Sequence, residues 1–357
     1  MNATFLKSRL AGTAAGIALA TMAALPLSAA DLDDVTFALP SSTVLPYHGF
    51  IFLGIPAGFY EDLGLDADVE RIQGSAAAVQ LVASGDVDMA HIGLSALIAA
   101  KKSQPDLPVK AVFLQDIAPI YSIAIPKGTG ISSPADLKGK KLGVLSLSSG
   151  AVPWAKAYLA KEGLSEDDYE IVAIGSGAQA YSLLKSGEVD AISFSRGLSA
   201  ALEILGADFE YYAPDEPSGV IVANTDFLAE HPDIATRALE GVVLNQTFME
   251  INPEAATRYF WDYVSKPAGI SEEEALKQGV TYITRTAAIW KDYQDTSRDW
   301  GRMTDGTWTG LMEFGPIAAS FDNEDALGDF VASLYTNELI DGVNEVDLSI
   351  AEKAAAE

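Results

Sequence analysis

"SGDVDMAHIG" (Ser84–Gly93) and "SGEVDAISFS" (Ser186–Ser195) are nearly the same phrase, set 102 residues apart in a chain of 357. The likeness extends upstream, to "GSAAAVQLVA" before the first copy and "GSGAQAYSLLK" before the second. A repeat this widely spaced is no solenoid, whose units run to roughly 20–50 residues. In each copy a helical stretch ends at Ser-Gly and turns into an apolar run of strand length. Gly85 and Gly187 therefore read as left-handed helix stops. The acids of the turn, Asp86, Asp88, Glu188 and Asp190, read as solvated or bonded to local backbone, not as chemical groups. The phrase marks a helix-to-strand turn, used once in each of two similar lobes.

The surrounding elements repeat as well. "VTFALP" predicts a strand and "YHGFIFLGIPAGFYEDLGL" a helix, disturbed by Pro56 and stopped by Gly64. "DADVERI" follows as a strand, "GSAAAVQLVASG" as a helix with Ser75 at its N-cap, then strand "VDMAHI" and helix "SALIAAKKS". From Lys141 the order recurs: "KLGVLS", "GAVPWAKAYLAKEGL", "YEIVAI", "SGAQAYSLLKSG", "VDAISF" and "GLSAALEIL". Two β-α-β-α-β-α passes predict an α/β protein with two mostly parallel sheets flanked by helices. "KAVFLQ" and "IYSIAIP" flank Asp116 to Pro119, and "FEYYAPDEPSGVIVANTDFL" has the same form, so the chain crosses between lobes twice. The expected division is residues 31–116 and 217–357 for lobe 1, with a helical C-terminal extension, and 117–216 for lobe 2.

Lys7 and Arg9 precede the uncharged "LAGTAAGIALATMAALPLSAA", and "DLDD" follows. This pattern predicts a cleaved signal peptide over residues 1–30 and a periplasmic destination. The apolar run from Leu10 to Leu25 is short of the roughly 20 residues a membrane span needs. With 23 basic against 50 acidic residues the formal net charge is −27, which repels nucleic acid and anionic membranes. The chain has no cysteine, which rules out disulfides and a thiol nucleophile. Its three histidines, His48, His91 and His231, lack metal-site spacing. "GLSAL" and "GSGAQ" lack the nucleophile elbow, and "GTGISS" lacks the lysine of a phosphate loop. The residues thus point to a binding protein with no cofactor, rather than an enzyme.

"ISSPADLKGKKLGV" (Ile131–Val144) and "GFYEDLGLDADVERIQGSAAAVQLVASGDVDMAHIG" (Gly58–Gly93) resemble the solute-binding proteins of bacterial ABC importers. The resemblance, over Val35 to Pro253, is to the nitrate/sulfonate/taurine and thiamine-pyrimidine-precursor branch. It implies a two-lobed type II periplasmic binding protein fold with two crossover strands, a ligand in the cleft, and delivery by a monomer to a membrane permease. Fungal enzymes that make the thiamine pyrimidine resemble this fold too, with a cysteine-rich motif that is absent here.

In open α/β sheets ligands sit beyond the carboxyl ends of the strands. The loops there run Ser41–His48, Gln73–Ala76, Gly93–Ser95, Ser146–Gly150, Gly175–Gly177 and Ser195–Gly197. The candidate ligand-binding residues are Thr43, Tyr47, His48, Ser75, Ser95, Gln115, Tyr121, Ser148, Ser149, Ser176, Ser195 and Arg196. Hydroxyls and helix-start N–H groups would cradle a polar or anionic group, although each serine could equally cap its own helix. Arg196 is the only Arg or Lys in these loops, and could clamp a sulfonate, carboxylate or phosphate or else form a surface ion pair. Tyr47, His48, Tyr121 and Trp154 could line an aromatic face or simply fill the core. His48 matches a position where the pyrimidine-precursor branch often has a histidine. The expected ligand is a small sulfonate or carboxylate; the alternatives are a neutral heteroaromatic and, more remotely, a substrate.

Overall fold

In both copies of the repeated turn, the second acid fastens a neighbouring strand. The computed structural model describes residues 32–41, 43–214, 216–291, 294–295, 297, 299–304, 307–308 and 324–356. The signal peptide expected over 1–30 lies outside them. Asp88 accepts from the Thr36 N–H through Oδ2 at 2.8 Å and returns its own N–H to the Thr36 carbonyl at 3.1 Å. Asp190 does the same with Lys141, at 2.9 and 2.8 Å. Gly85 and Gly187, at φ 77° and 75°, supply the left-handed turn that aims each aspartate. The two Ser-Gly-acid-Val-Asp phrases are therefore matching staples between a strand start and its neighbour.

Those strands build two five-stranded sheets. The first is ordered β2-β1-β3-β10-β4, from β1 (Asp33–Leu39), β2 (Leu65–Arg71), β3 (Met89–Gly93), β4 (Val109–Asp116) and β10 (Gly219–Asn224). The second is ordered β7-β6-β8-β5-β9, from β5 (Tyr121–Pro126), β6 (Lys141–Val144), β7 (Glu170–Ala173), β8 (Ala191–Ser195) and β9 (Phe209–Tyr212). The repeat strands β3 and β8 hold the third place in their sheets. Beside each runs the one reversed strand, β10 or β5, antiparallel to both neighbours. Each reversed strand is the one that has just arrived from the other lobe, by a short crossing with no helix to turn it round.

The helices that matter for the cleft are α1 (Ser75–Ser84), α2 (Leu94–Ser103), α3 (Ala151–Lys161), α4 (Gly177–Lys185), α5 (Arg196–Ile204), α6 (Thr225–Glu230), α7 (Pro232–Ile251), α8 (Pro253–Tyr263) and α9 (Glu272–Ala287). Gly74, at φ 97°, is the N-cap of α1, so Ser75 is its first helical residue and not the cap the sequence suggested. The stretch from Pro46 to Asp62 is a chain of single turns, broken at Gly58 (φ 80°) rather than bent at Pro56. What holds it is α7, buried nearly all round from Ala238 to Met249. Asn245 donates to the Phe50 and Ile51 carbonyls at 3.2 and 3.1 Å, satisfying acceptors that the broken run leaves over. Gly241 makes room for the Tyr60 ring, which a Cβ there would meet at 2.2 Å. Following α8 in the chain, α9 packs on α7 and α8, on the Pro46–His48 turn and on α5 of the second lobe. No helix among the described residues is long and apolar enough to cross a membrane.

Removing either staple strands a backbone N–H. Asp88→Ala is expected to cost about 1.5–3 kcal/mol, the range for a hydrogen bond to a charged group. Asp190→Ala, at a solvent-exposed contact, should cost less. Chemical denaturation of both variants measures this. No loss in either variant would show that the repeat is not a pair of staples.

Candidate ligand-binding cleft

The carboxyl ends of the strands in both sheets converge on one cavity of about 60 Å³. The Pro46–His48 turn brings Tyr47 and His48, β3 brings His91, and β4 ends in Asp116. The second lobe contributes Tyr121 from β5, Ser149 ahead of α3, and Ser195 and Arg196 at the junction of β8 and α5.

At the base of the first lobe's wall, His91 Nε2 lies 2.8 Å from Asp116 Oδ2, both side chains buried. Gly219 faces them, and a Cβ there would fall 1.7 Å from Asp116 Oδ2 and 2.9 Å from His91 Nε2. Only glycine leaves room for the pair. Phe50 presents an edge to the His91 ring at 4.9 Å. His48 is differently held: the Leu45 N–H donates to its Nδ1 at 3.0 Å. Burial, with His91 nearby, pushes the His48 pKa down to about 3, so the ring is neutral at physiological pH. With Nδ1 accepting, the proton of the neutral ring resides on Nε2, which makes His48 a donor.

Two tyrosines complete the wall. Tyr47 lies against His48, ring centroids 3.9 Å apart, and its hydroxyl meets Ser195 Oγ at 3.3 Å. It rests directly on Gly197, where a Cβ would sit 2.0 Å from the ring. Tyr121 is pressed between Gly93 and Gly150, each leaving only 2.6 Å from a would-be Cβ to the tyrosine. Burial pushes the Tyr121 pKa up to about 12 and that of Tyr47 up as well, so both hydroxyls stay protonated.

Seven of the twelve candidates line the cavity: Tyr47, His48, Ser75, Tyr121, Ser149, Ser195 and Arg196. Four others lie instead in the seam between the lobes. Thr43 Oγ1 meets Ser176 Oγ at 2.7 Å, Ser95 Oγ donates to the Gly150 carbonyl at 2.9 Å, and Ser148 Oγ donates to the Gln73 carbonyl at 2.5 Å. Gln115 faces inward to α7, donating to Gln246 Oε1 at 3.1 Å. Trp154 is core, stacked on Tyr158. Arg196 is exposed, with its Nε on the Pro119 carbonyl at 2.9 Å and no ion pair among the described residues. Sequence reasoning missed His91, Asp116, Phe50, and Thr286 and Ile289 near the end of α9, all of which line the cavity. One signal for His91 was available, because the second copy of the repeat has Ser193 in its place.

Among proteins with a stated identity, a candidate binding protein of Brucella abortus is 26% identical over 204 residues, 55% of this chain. The match takes in 61% of that relative's length. The 4-amino-5-hydroxymethyl-2-methylpyrimidine phosphate synthase of Aspergillus parasiticus is 25% identical over 301 residues, covering 79% of this chain and 84% of the synthase. The periplasmic nitrate-binding protein of Synechocystis superposes with a TM-score of 0.65 at 13% identity, over 88% of this chain and 89% of its own. That likeness establishes the periplasmic binding protein fold, two lobes each built on its own sheet. The sequence model described as "NMT1/THI5 like" matches residues 45–256, more than half of the chain. The protein belongs to the NMT1/THI5-like family.

Proposed function

We propose that this protein captures one small polar molecule between its lobes, in the periplasm, and delivers it unaltered to an ABC-type import permease. The observation that carries this reading is the cavity at the strand ends of both sheets, lined by residues of both lobes whose seam is joined by hydrogen bonds from one lobe to the other. A pocket made by two lobes can admit and release a ligand by hinge motion. The name of the Synechocystis neighbour supports solute binding, and that of the Aspergillus relative supports synthesis.

The wall favours a neutral, planar heteroaromatic ligand. Tyr47, Phe50, Tyr121 and Phe194 offer ring faces and edges, and neutral His48 offers a directed N–H. Asp116 is the buried acidic side chain of the wall, which disfavours an anion set directly beside it. A second reading, an anionic ligand such as a sulfonate or carboxylate, is favoured by Arg196, a lining residue without an ion pair among the described residues.

Calorimetry against pyrimidines, sulfonates and carboxylates, with analysis of the recovered compound, tests the function itself. Stoichiometric 1:1 binding and unchanged ligand are expected; a chemically altered product would make the protein an enzyme. The ligand class follows from two variants. For a neutral ring, Tyr47→Ala should cost about 2–4 kcal/mol, as buried aromatic anchors do, or roughly 30- to 1,000-fold in affinity. Arg196→Ala should then cost less than about 1 kcal/mol, like other exposed charges. The reverse order would establish the anion reading.

A further inference from the structure

Arg196 and Tyr121 line a second cavity as well. Its volume is about 290 Å³, and it opens where the two crossings between the lobes lie together, with Pro119 from one and Pro214 from the other in its wall. Its charged groups are two guanidiniums, Arg196 and Arg285, against a single carboxylate, Glu203. In a chain of net charge −27, a cavity lined with an excess of positive charge is a local inversion.

Glu203 does not cancel both cations. One of its oxygens accepts from the Tyr211 hydroxyl at 2.9 Å, and the other lies 3.4 Å from an Arg285 nitrogen. Arg196 spends Nε on the Pro119 carbonyl, and its two terminal nitrogens make no hydrogen bond among the described residues. The Ser122 hydroxyl, also in this wall, is buried and has no hydrogen-bond partner among the described residues. A buried hydroxyl without a partner loses the stabilisation that hydrogen bonding would restore.

We propose that this hinge cavity is a second binding site, taking a small oxyanion between Arg196 and Arg285 with Ser122 as a further donor. Guanidinium nitrogens with free N–H groups suit the paired oxygens of a carboxylate or phosphate. Ser122 and Arg285 do not line the interlobe cleft, so the two sites have separate chemistry on either side of a shared Arg196.

The test is calorimetry with inorganic phosphate as probe, in a phosphate-free buffer whose ionic strength is held constant with sodium chloride. One saturable site is expected. Arg285→Gln, at an exposed side chain, should weaken phosphate by about tenfold or more, as loss of a charged hydrogen-bond donor does. Glu203→Gln should strengthen it by removing the competing carboxylate. Absence of any heat beyond that of chloride would overturn the proposal, as would an Arg285→Gln protein that binds phosphate like the parent. Binding that Tyr47→Ala abolishes and Arg285→Gln spares would place the phosphate in the interlobe cleft and also count against it. No cleft ligand is needed for these titrations, so they stand or fall independently of the function proposed above.

Discussion

Ser218 fastens the two chain crossings to each other. Its hydroxyl donates to the Ala118 carbonyl at 3.0 Å and accepts from the Ile120 N–H at 2.5 Å. Its own N–H donates to the Asp116 carbonyl, and its carbonyl accepts from Leu94 at the start of α2. One buried residue thus ties the end of β4, the first crossing, the start of β10 and a helix N-terminus. Asp116 and Gly219, on either side of this knot, have their positions fixed, which brings the carboxylate against His91. Tyr121 follows Ile120 directly and enters the cleft from the same anchor. Each such bond is worth about 0.5–1.5 kcal/mol net. Their collective effect is on geometry: they fix the two crossings to each other at the base of the cleft.

Part of the interlobe contact is neutral, single hydrogen bonds: hydroxyl to hydroxyl at Thr43 and Ser176, hydroxyl to carbonyl at Ser95 and Ser148. Beside them α9 packs on α5, with an Arg285 nitrogen 3.4 Å from Glu203. In an open form water would replace each of the hydroxyl bonds at little cost. These bonds therefore add little to closure, and a ligand touching both lobes would shift the equilibrium by its preference for the closed form. This also explains why four of the serines and threonines expected to hold ligand are found holding the opposite lobe. Loop hydroxyls at strand ends are equally good for either task, and residue type alone does not distinguish them.

Much of the architecture was legible because it rests on local chemistry. Gly85 and Gly187 announce their helix stops, and alternating strand and helix runs announce the sheets. The reversed direction of β5 and β10 was harder to read, since it follows from which lobe a strand arrives from. The site was legible where loops carry it, as at Tyr47, His48 and Ser195. It was hidden where the cavity wall depends on pairing across distance: nothing near His91 in the chain points to Asp116, and nothing in α9 says that its last turn faces the cleft. The Ser75 cap failed for a different reason. Gly74 adopts a φ of 97°, with Ser148 of the other lobe so near that a Cβ would meet its backbone at 2.6 Å, and the helix starts at Ser75, one residue earlier than a Ser75 cap would have it.

The placement of α9 bears on how the molecule moves. It follows α7 and α8 in the chain and rests on both, yet its flank lies on α5 of the other lobe, and Thr286 and Ile289 reach the cavity wall. If the lobes swing apart about the Ser218 knot, α9 cannot keep both partners. Whichever surface it leaves becomes wet, and apolar area exposed to water costs about 25 cal/mol for each Å². Every degree of opening is then resisted in proportion to the surface uncovered, as by a weak spring. The wetting of one helix flank would then oppose opening from the same helix that carries Thr286 to the cavity wall.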